Sequence, residues 1–162
     1  MHFDAGAADC RILVFRDGLL SAIGHDVTLR VTTFAIDIGE GDVVSARFDA
    51  RSLRVDGAVP PKDARDIERH AADDVLAARR FPEILFRSST VTRTEGRARI
   101  AGELTLHGVT RALGCDAVAD ERGWHAELRL DQRHFGIKPF SALLGALKVK
   151  PEVLVRVTVP RW

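Results

Sequence analysis

Residues 60–88 read PPKDARDIERHAADDVLAARRFPEILFRS, and they contain the long helix that the sequence predicts. Apolar residues recur here at steps of three and four, which is the spacing of one helix face. These residues are Ala64, Ile67, Ala71, Val75 and Ala78. Asp63 is the expected N-cap, and Pro82 ends the helix because proline cannot donate to the helical ladder. We therefore expect a helix over about residues 62–80.

Most of the remaining chain has the alternating pattern of β-strands. After Pro82, Ile84 and Phe86 alternate with more polar neighbours, and residues 124–131 show the clearest alternation. Turn signals such as Asp17-Gly18 and Glu95-Gly96 separate these short segments. Short strands at this spacing predict a mainly β, antiparallel barrel of about eight strands, with the single helix packed against it.

One predicted strand changes phase in its middle. Between Asp26 and Ile38 the apolar positions shift by one residue at Thr32-Thr33. A one-residue slip moves side chains to the other face of a sheet, so it indicates a β-bulge that bends the strand.

The composition limits the classes of function. The chain has 162 residues and a net charge of +1, so we expect one domain without a nucleic-acid-binding surface. Cys10 and Cys115 are far apart, outside any CxxC pattern, and are expected to be free thiols. The first residues have neither the basic nor the apolar segment of a signal peptide, and no apolar run is long enough to insert in a membrane. The expected compartment is the cytoplasm.

The inward-facing positions favour a cavity inside the barrel. They include small residues, which leave space in the lumen: Ala46, Gly102, Cys115, Ala117 and Ala126. The side chains expected to contact an apolar ligand are Phe34, Ile36, Phe48, Phe86, Leu104, Trp124 and Leu128. The alternative is that these side chains form a plain hydrophobic core.

The histidines match no metal-binding motif, and we expect no metal, cofactor or catalytic residue. His25 and His134 lie at junctions between strands and loops. They could meet at one mouth of the barrel and bind a polar headgroup, or act as acid and base. The alternative is that they are loop histidines bonded to the backbone. His107 falls on the polar side of its strand and is expected to be exposed.

Three motifs together resemble the YceI-like family, in both order and spacing. They are RFPEILFRS at 80–88, GELTLHGVTR at 102–111 and HFGIKP at 134–139. The resemblance covers about residues 10–160 and implies a single domain, an extended lipocalin-like barrel with the helix outside it or over one end. It also implies a carrier of long polyisoprenoid chains, such as isoprenoid quinones or polyprenyl phosphates.

The resulting expectation is a non-catalytic binding protein for an apolar, isoprenoid lipid held in the lumen. Burial of apolar ligand surface would supply the affinity. One alternative is a ligand-free stress-response or protein-interaction module with a filled barrel and an exposed apolar patch. Another is an enzyme that acts on a small hydrophobic substrate. The sequence leaves a homodimer open.

Overall fold

The computed structural model describes residues 1–17, 26–142 and 147–161, except the side chains of 142 and 147. The described residues form twelve β-strands and one α-helix, with a π-helical turn after the helix. In chain order the elements are β1 (His2–Asp4), β2 (Asp9–Asp17), β3 (Val27–Val31), β4 (Phe34–Ile38), β5 (Val44–Asp49), β6 (Leu53–Asp56), α1 (Pro61–Arg69), the π-helical turn (His70–Val75), β7 (Glu83–Thr94), β8 (Arg97–Leu106), β9 (Val109–Asp120), β10 (Gly123–Asp131), β11 (Ser141–Ala142) and β12 (Leu147–Val159). The pattern is therefore mainly β with one helix, as the alternation predicts.

All of these strands belong to one antiparallel sheet that curls on itself. Its order is β1-β4-β5-β7-β8-β9-β10-β12-β2-β3-β6, with β11 paired to β12. β6 is the last strand in this order, and in the chain it follows β5 directly. The strand paired with β6 is β3, which is followed in the chain by β4. Backbone bonds join the two interruptions, from Thr32 N to Ser52 O and from Asp49 N to Thr33 O, both 3.0 Å long. The sheet thus closes round in the manner of a barrel.

The expected count of about eight strands is wrong, because long extended segments are interrupted. Residues 27–38 form two strands that break at Thr32-Thr33, the position of the phase slip. Residues 44–56 form two strands as well, so Val31 pairs with Leu53 while Phe34 pairs with Phe48. The interruptions let the sheet bend sharply enough to curl.

The helix is shorter than predicted, and its N-terminus differs. It begins at Pro61 with Pro60 in the capping position, so Asp63 lies in the first turn and is not the N-cap. The helical stretch ends at Val75, not near residue 80. Its last turn widens, since Leu76 N bonds to Ala71 O at 2.9 Å. Ala77 then adopts a positive φ of 47°, which ends the helix before Pro82 is reached.

The helix lies across one end of the sheet without being buried in it. Neither α1 nor the π-helical turn has a fully buried residue. Ile67 and Ala71 pack on a core cluster around Cys10 and Leu29. Val75 packs on a second cluster that contains Leu106, Phe135 and Ile137, close to the ends of β8 and β10. The helix therefore covers the end of the sheet where β8 and β10 finish.

Candidate ligand-binding cavity

A cavity of about 620 Å³ lies inside the curled sheet. Its lining comes from ten of the described strands, β2–β10 and β12, and from the helical stretch. On β8 the lining residues are Ala98, Ile100, Leu104 and Leu106, and on β10 they are Trp124, Ala126, Leu128 and Leu130. Their spacing of two follows from the pleat, which sends alternate side chains to opposite faces. The volume falls within the range of about 300–1,000 Å³ that is typical of small-molecule sites.

Of the residues predicted to line the cavity, most do so and one is buried beside it. Six of the seven line the cavity: Ile36, Phe48, Phe86, Leu104, Trp124 and Leu128. Phe34 is not among the lining residues, although it pairs with Phe48 and lies on the same inner face of the sheet. Its side chain is buried, with the ring centre 5.7 Å from that of Phe48. Phe34 therefore packs beside Phe48 in the hydrophobic core.

Small residues account for the space inside the sheet. Ala46, Cys115, Ala117 and Ala126 line the cavity, as their inward positions predict. Gly102 is buried but lies behind the Phe86 ring. A Cβ added at Gly102 would be 2.3 Å from Arg87 O and 2.8 Å from Phe86 Cζ. Glycine is required there because β7 bulges against β8 between Ser88 and Thr90.

The structure does not test whether the two histidines predicted at the mouth of the barrel meet. His25 lies outside the residues that the structure describes. His134 is exposed and outside the cavity lining, and its carbonyl oxygen accepts a bond from Arg111 Nε at 3.0 Å. The expected exposure of His107 is wrong. Its Nδ1 donates to Phe135 O at 3.2 Å, and its ring packs 4.8 Å from that of Phe81.

Several polar residues of the lining were not predicted from the sequence. Three of them come from the helical stretch: Asp63, Asp66 and His70. The sequence predicts that only the apolar stripe of the helix faces the sheet. Arg93 and Asp42 line it from β7 and from the turn before β5. The bulge in β7 shifts the alternation of its side chains by one residue. Val91 and Arg93 therefore face inward, whereas strict alternation from Ile84 and Phe86 would turn them outward. The repeated Ser88-Ser89-Thr90 polar run is a weak signal for that bulge.

Two thiols line the cavity, and both are free, as their separation in the sequence predicts. Cys10 is buried and Cys115 is half-buried. Burial raises the pKa of Cys10 to about 12, and the nearby carboxylate of Asp9 raises it further. Burial likewise raises the pKa of Cys115, with a smaller contribution from Asp116. Both thiols therefore stay protonated near neutral pH and add little polarity to the lumen.

Two features are absent from the described part of the chain. No group of three or more His, Cys, Asp or Glu side chains there could hold a metal ion. No helix among the same residues is long and apolar enough to cross a membrane.

The fold defines the class as an antiparallel β-protein whose curled sheet encloses a largely apolar cavity. A family model described as the YceI-like domain matches residues 17–160. The chain therefore belongs to the YceI-like family, which confirms the resemblance of its three motifs. BcnA of Burkholderia cenocepacia has a similar structure, with a TM-score of 0.70 and 14% identity over 95% of this chain and 96% of that one.

Other relatives extend the comparison. A polyisoprenoid binding domain from Saccharophagus degradans, implicated in plant cell wall breakdown, has a TM-score of 0.58 at 11% identity, with 94% of each chain covered. A UPF0312 protein of Pseudomonas putida strain W619 is 34% identical over 108 residues, which are 58% of this chain and 56% of that protein. The chain thus spans little more than half the length of this curated relative.

Proposed function

We propose that the protein is a non-catalytic carrier that binds an apolar, isoprenoid lipid in the lumen of the curled sheet. The observation that carries this proposal is the cavity of about 620 Å³ with its largely apolar lining. The similarity to a polyisoprenoid binding domain supports an isoprenoid as the ligand class. The six lining residues Ile36, Phe48, Phe86, Leu104, Trp124 and Leu128 are proposed to contact its hydrocarbon chain.

The energetics of such a site need no catalytic group. Burying about 400 Å² of apolar ligand surface would stabilise the complex by ~10 kcal/mol. Association costs about 4–15 kcal/mol in lost freedom, so a gain of this size is needed for binding, and a ligand that buries much less surface gains too little. A flexible hydrocarbon chain suits this lumen, because the lining offers broad apolar contact and few hydrogen-bonding groups.

The two alternatives are less well supported. An interaction module predicts a barrel filled by side chains, whereas this sheet encloses a cavity. An enzyme predicts that His25 and His134 share one pocket. His134 lies outside the lining, and His25 is outside the described residues.

A pair of tryptophan substitutions tests the carrier function. Leu104 is buried on the inner face of β8, and Leu104→Trp would fill part of the cavity. Leu85 lies on the neighbouring β7, is 41% exposed and faces outward, so Leu85→Trp is the matched control. We expect Leu104→Trp to weaken binding of geranylgeraniol by at least tenfold, measured by native mass spectrometry. Leu85→Trp should bind this linear isoprenoid alcohol as the wild type does.

Folding must be checked independently of binding. Circular dichroism should show that both variants keep the β-structure of the wild type. Equal uptake by a folded Leu104→Trp variant and the wild type would refute a ligand site in the lumen. A wild type that takes up no isoprenoid at all would refute the carrier function itself.

Three further properties complete the proposal. We propose that residues 10–160 form one domain, since every strand of the curled sheet except β1 lies almost wholly within that range. The cytoplasm is the proposed compartment, and the free thiols Cys10 and Cys115 are consistent with reducing conditions. A homodimer remains to be tested by light scattering.

A further inference from the structure

A charged cluster lines the cavity at the end opposite the helix. Arg93 lies near the end of β7, Asp42 in the turn before β5, and Trp124 near the start of β10. Because neighbouring strands are antiparallel, these three positions meet at one end of the sheet. The helix covers the other end, where β8 and β10 finish. All three residues are part of the cavity lining.

Contacts between the strands hold the cluster together. Arg93 Nη1 donates to Asp42 Oδ1 at 2.8 Å. The guanidinium carbon of Arg93 lies 5.0 Å from the centre of a Trp124 ring, which is the geometry of a cation–π interaction. Val44 N also donates to Ser88 Oγ at 2.8 Å, which ties the turn of Asp42 to β7. The ion pair is thus attached to two strands and covered on one side by an aromatic ring.

The exposure of the ion pair places it at the boundary between cavity and solvent. The side chains of Arg93 and Asp42 are 34% and 38% exposed. A charged pair that lines an apolar cavity and also reaches water forms the end wall of that cavity. An apolar chain that grew past this wall would have to strip water from both charges or separate them. One more buried methylene gains less than the removal of water from either charge costs.

We infer that the Arg93–Asp42 pair, backed by Trp124, is the specificity determinant that limits the length of the apolar chain held in the lumen. This inference rests on the proposed carrier function. The hydrocarbon end of the ligand points toward the ion pair, and the polar end points toward the helix. Chains longer than the lumen bind more weakly because the ion pair stops them.

A series of linear isoprenoid alcohols tests the inference. Farnesol, geranylgeraniol, geranylfarnesol and solanesol differ in chain length and carry the same hydroxyl group. With the wild type, native mass spectrometry should show at least a tenfold fall in binding at one step of this series. In Arg93→Ala the fall should move to a longer alcohol, while binding of the shorter ones changes less than threefold.

Two further variants isolate the cause. Asp42→Asn removes the charge but keeps the positive φ of 60°, a conformation that asparagine adopts readily. In Asp42→Asn the fall in binding should also move to a longer alcohol. This variant tests the inference even if Arg93→Ala does not fold. Arg87→Ala is the control, since Arg87 is an exposed arginine on the same strand that lies outside the lining. It should keep the wild-type limit.

The outcomes separate this inference from the proposed function. A wild type that binds the shorter alcohols, with an unchanged length limit in both Arg93→Ala and Asp42→Asn, would overturn the ion pair as the limit and leave the carrier function standing. Equal binding of all four alcohols by the wild type would do the same. A wild type that binds none of them would overturn both.

Discussion

The two faces of the sheet are built from the same strands but have opposite chemistry. On β10, Leu128 faces the cavity while its neighbours Glu127 and Arg129 face outward. The outward side chains form ion pairs with β12, from Arg129 to Glu152 and from Arg156 to Glu127, each at 2.8 Å. The inner face leaves space inside the sheet, whereas the outer face carries paired charges.

This difference indicates where the structure tolerates change. The inner face must remain apolar and must keep its small residues, since a larger or charged side chain there would fill or hydrate the cavity. The outer face holds exposed charge pairs that contribute little to the free energy of unfolding. A substitution should therefore have a large effect on one face and a small effect on the other.

The largest expected contrast is in thiol reactivity. Because burial raises the pKa of Cys10 to about 12, its thiolate fraction should be about a thousandfold below that of an ordinary thiol. We expect iodoacetamide at mildly alkaline pH to alkylate Cys10 at least a hundredfold more slowly than a cysteine placed on the outer face by Ser45→Cys. Peptide mass spectrometry measures both sites in one sample. Similar rates would mean that water and reagent enter the lumen freely.

The second contrast concerns two glycines on opposite faces of neighbouring strands. Gly102→Ala would force a Cβ to within 2.3 Å of Arg87 O, so we expect the free energy of unfolding to fall by about 2–3 kcal/mol. Gly114→Ala on β9 would place its Cβ 3.4 Å from Ile100 O, and the change should stay within about 1 kcal/mol. Urea denaturation measures both. An equal loss for the two variants would contradict the close approach of β7 to β8.

A smaller effect is expected from the charge pairs of the outer face. Arg156 Nε and Glu127 Oε2 are 2.8 Å apart, and both side chains are more than half exposed. A double-mutant cycle with Arg156→Ala and Glu127→Ala should give a coupling of at most about 1 kcal/mol, reduced further by added salt. A coupling several times larger would mean that the outer face also determines stability.

The smallest effect is a pH dependence at the turn after β10. The Arg133 side chain donates to Asp131 and lowers the pKa of that carboxyl to about 2. Because the folded-state pKa lies below the ordinary value of 3.8, ionised Asp131 stabilises the fold above about pH 4. This contribution should disappear as the pH falls from about 4 to 2. Urea denaturation of the wild type and Asp131→Asn should converge over that range, and parallel curves would contradict the interaction.

The alternating pattern predicted most of the cavity wall but not the ends of the cavity. Leu104 and Leu128 could be placed inward because the strand period of two depends only on local sequence. Phe34 was assigned to the lining because it shares the parity of Ile36. Phe34 does lie on that inner face, but it is buried beside its cross-strand partner Phe48 and does not reach the cavity.

The ends depend on contacts that local patterns do not encode. Arg93 and Asp42 are separated by 51 residues in the chain, and only the curling of the sheet brings them together. The end of the helix follows from the positive φ at Ala77, whereas the sequence offers the helix-stopping Pro82 as the obvious boundary. The strand count was wrong for a different reason: the phase slip at Thr32-Thr33 predicts a bulge within one strand, whereas it separates two strands, β3 and β4.

The most direct test of the central claim is native mass spectrometry of the freshly purified protein, followed by solvent extraction of any species that leaves with it. The cavity and its apolar lining predict a bound molecule whose mass fits an isoprenoid series, released by the solvent in near-stoichiometric amount. A protein of ligand-free mass that gains nothing when isoprenoid quinones or polyprenyl phosphates are added would contradict the carrier function.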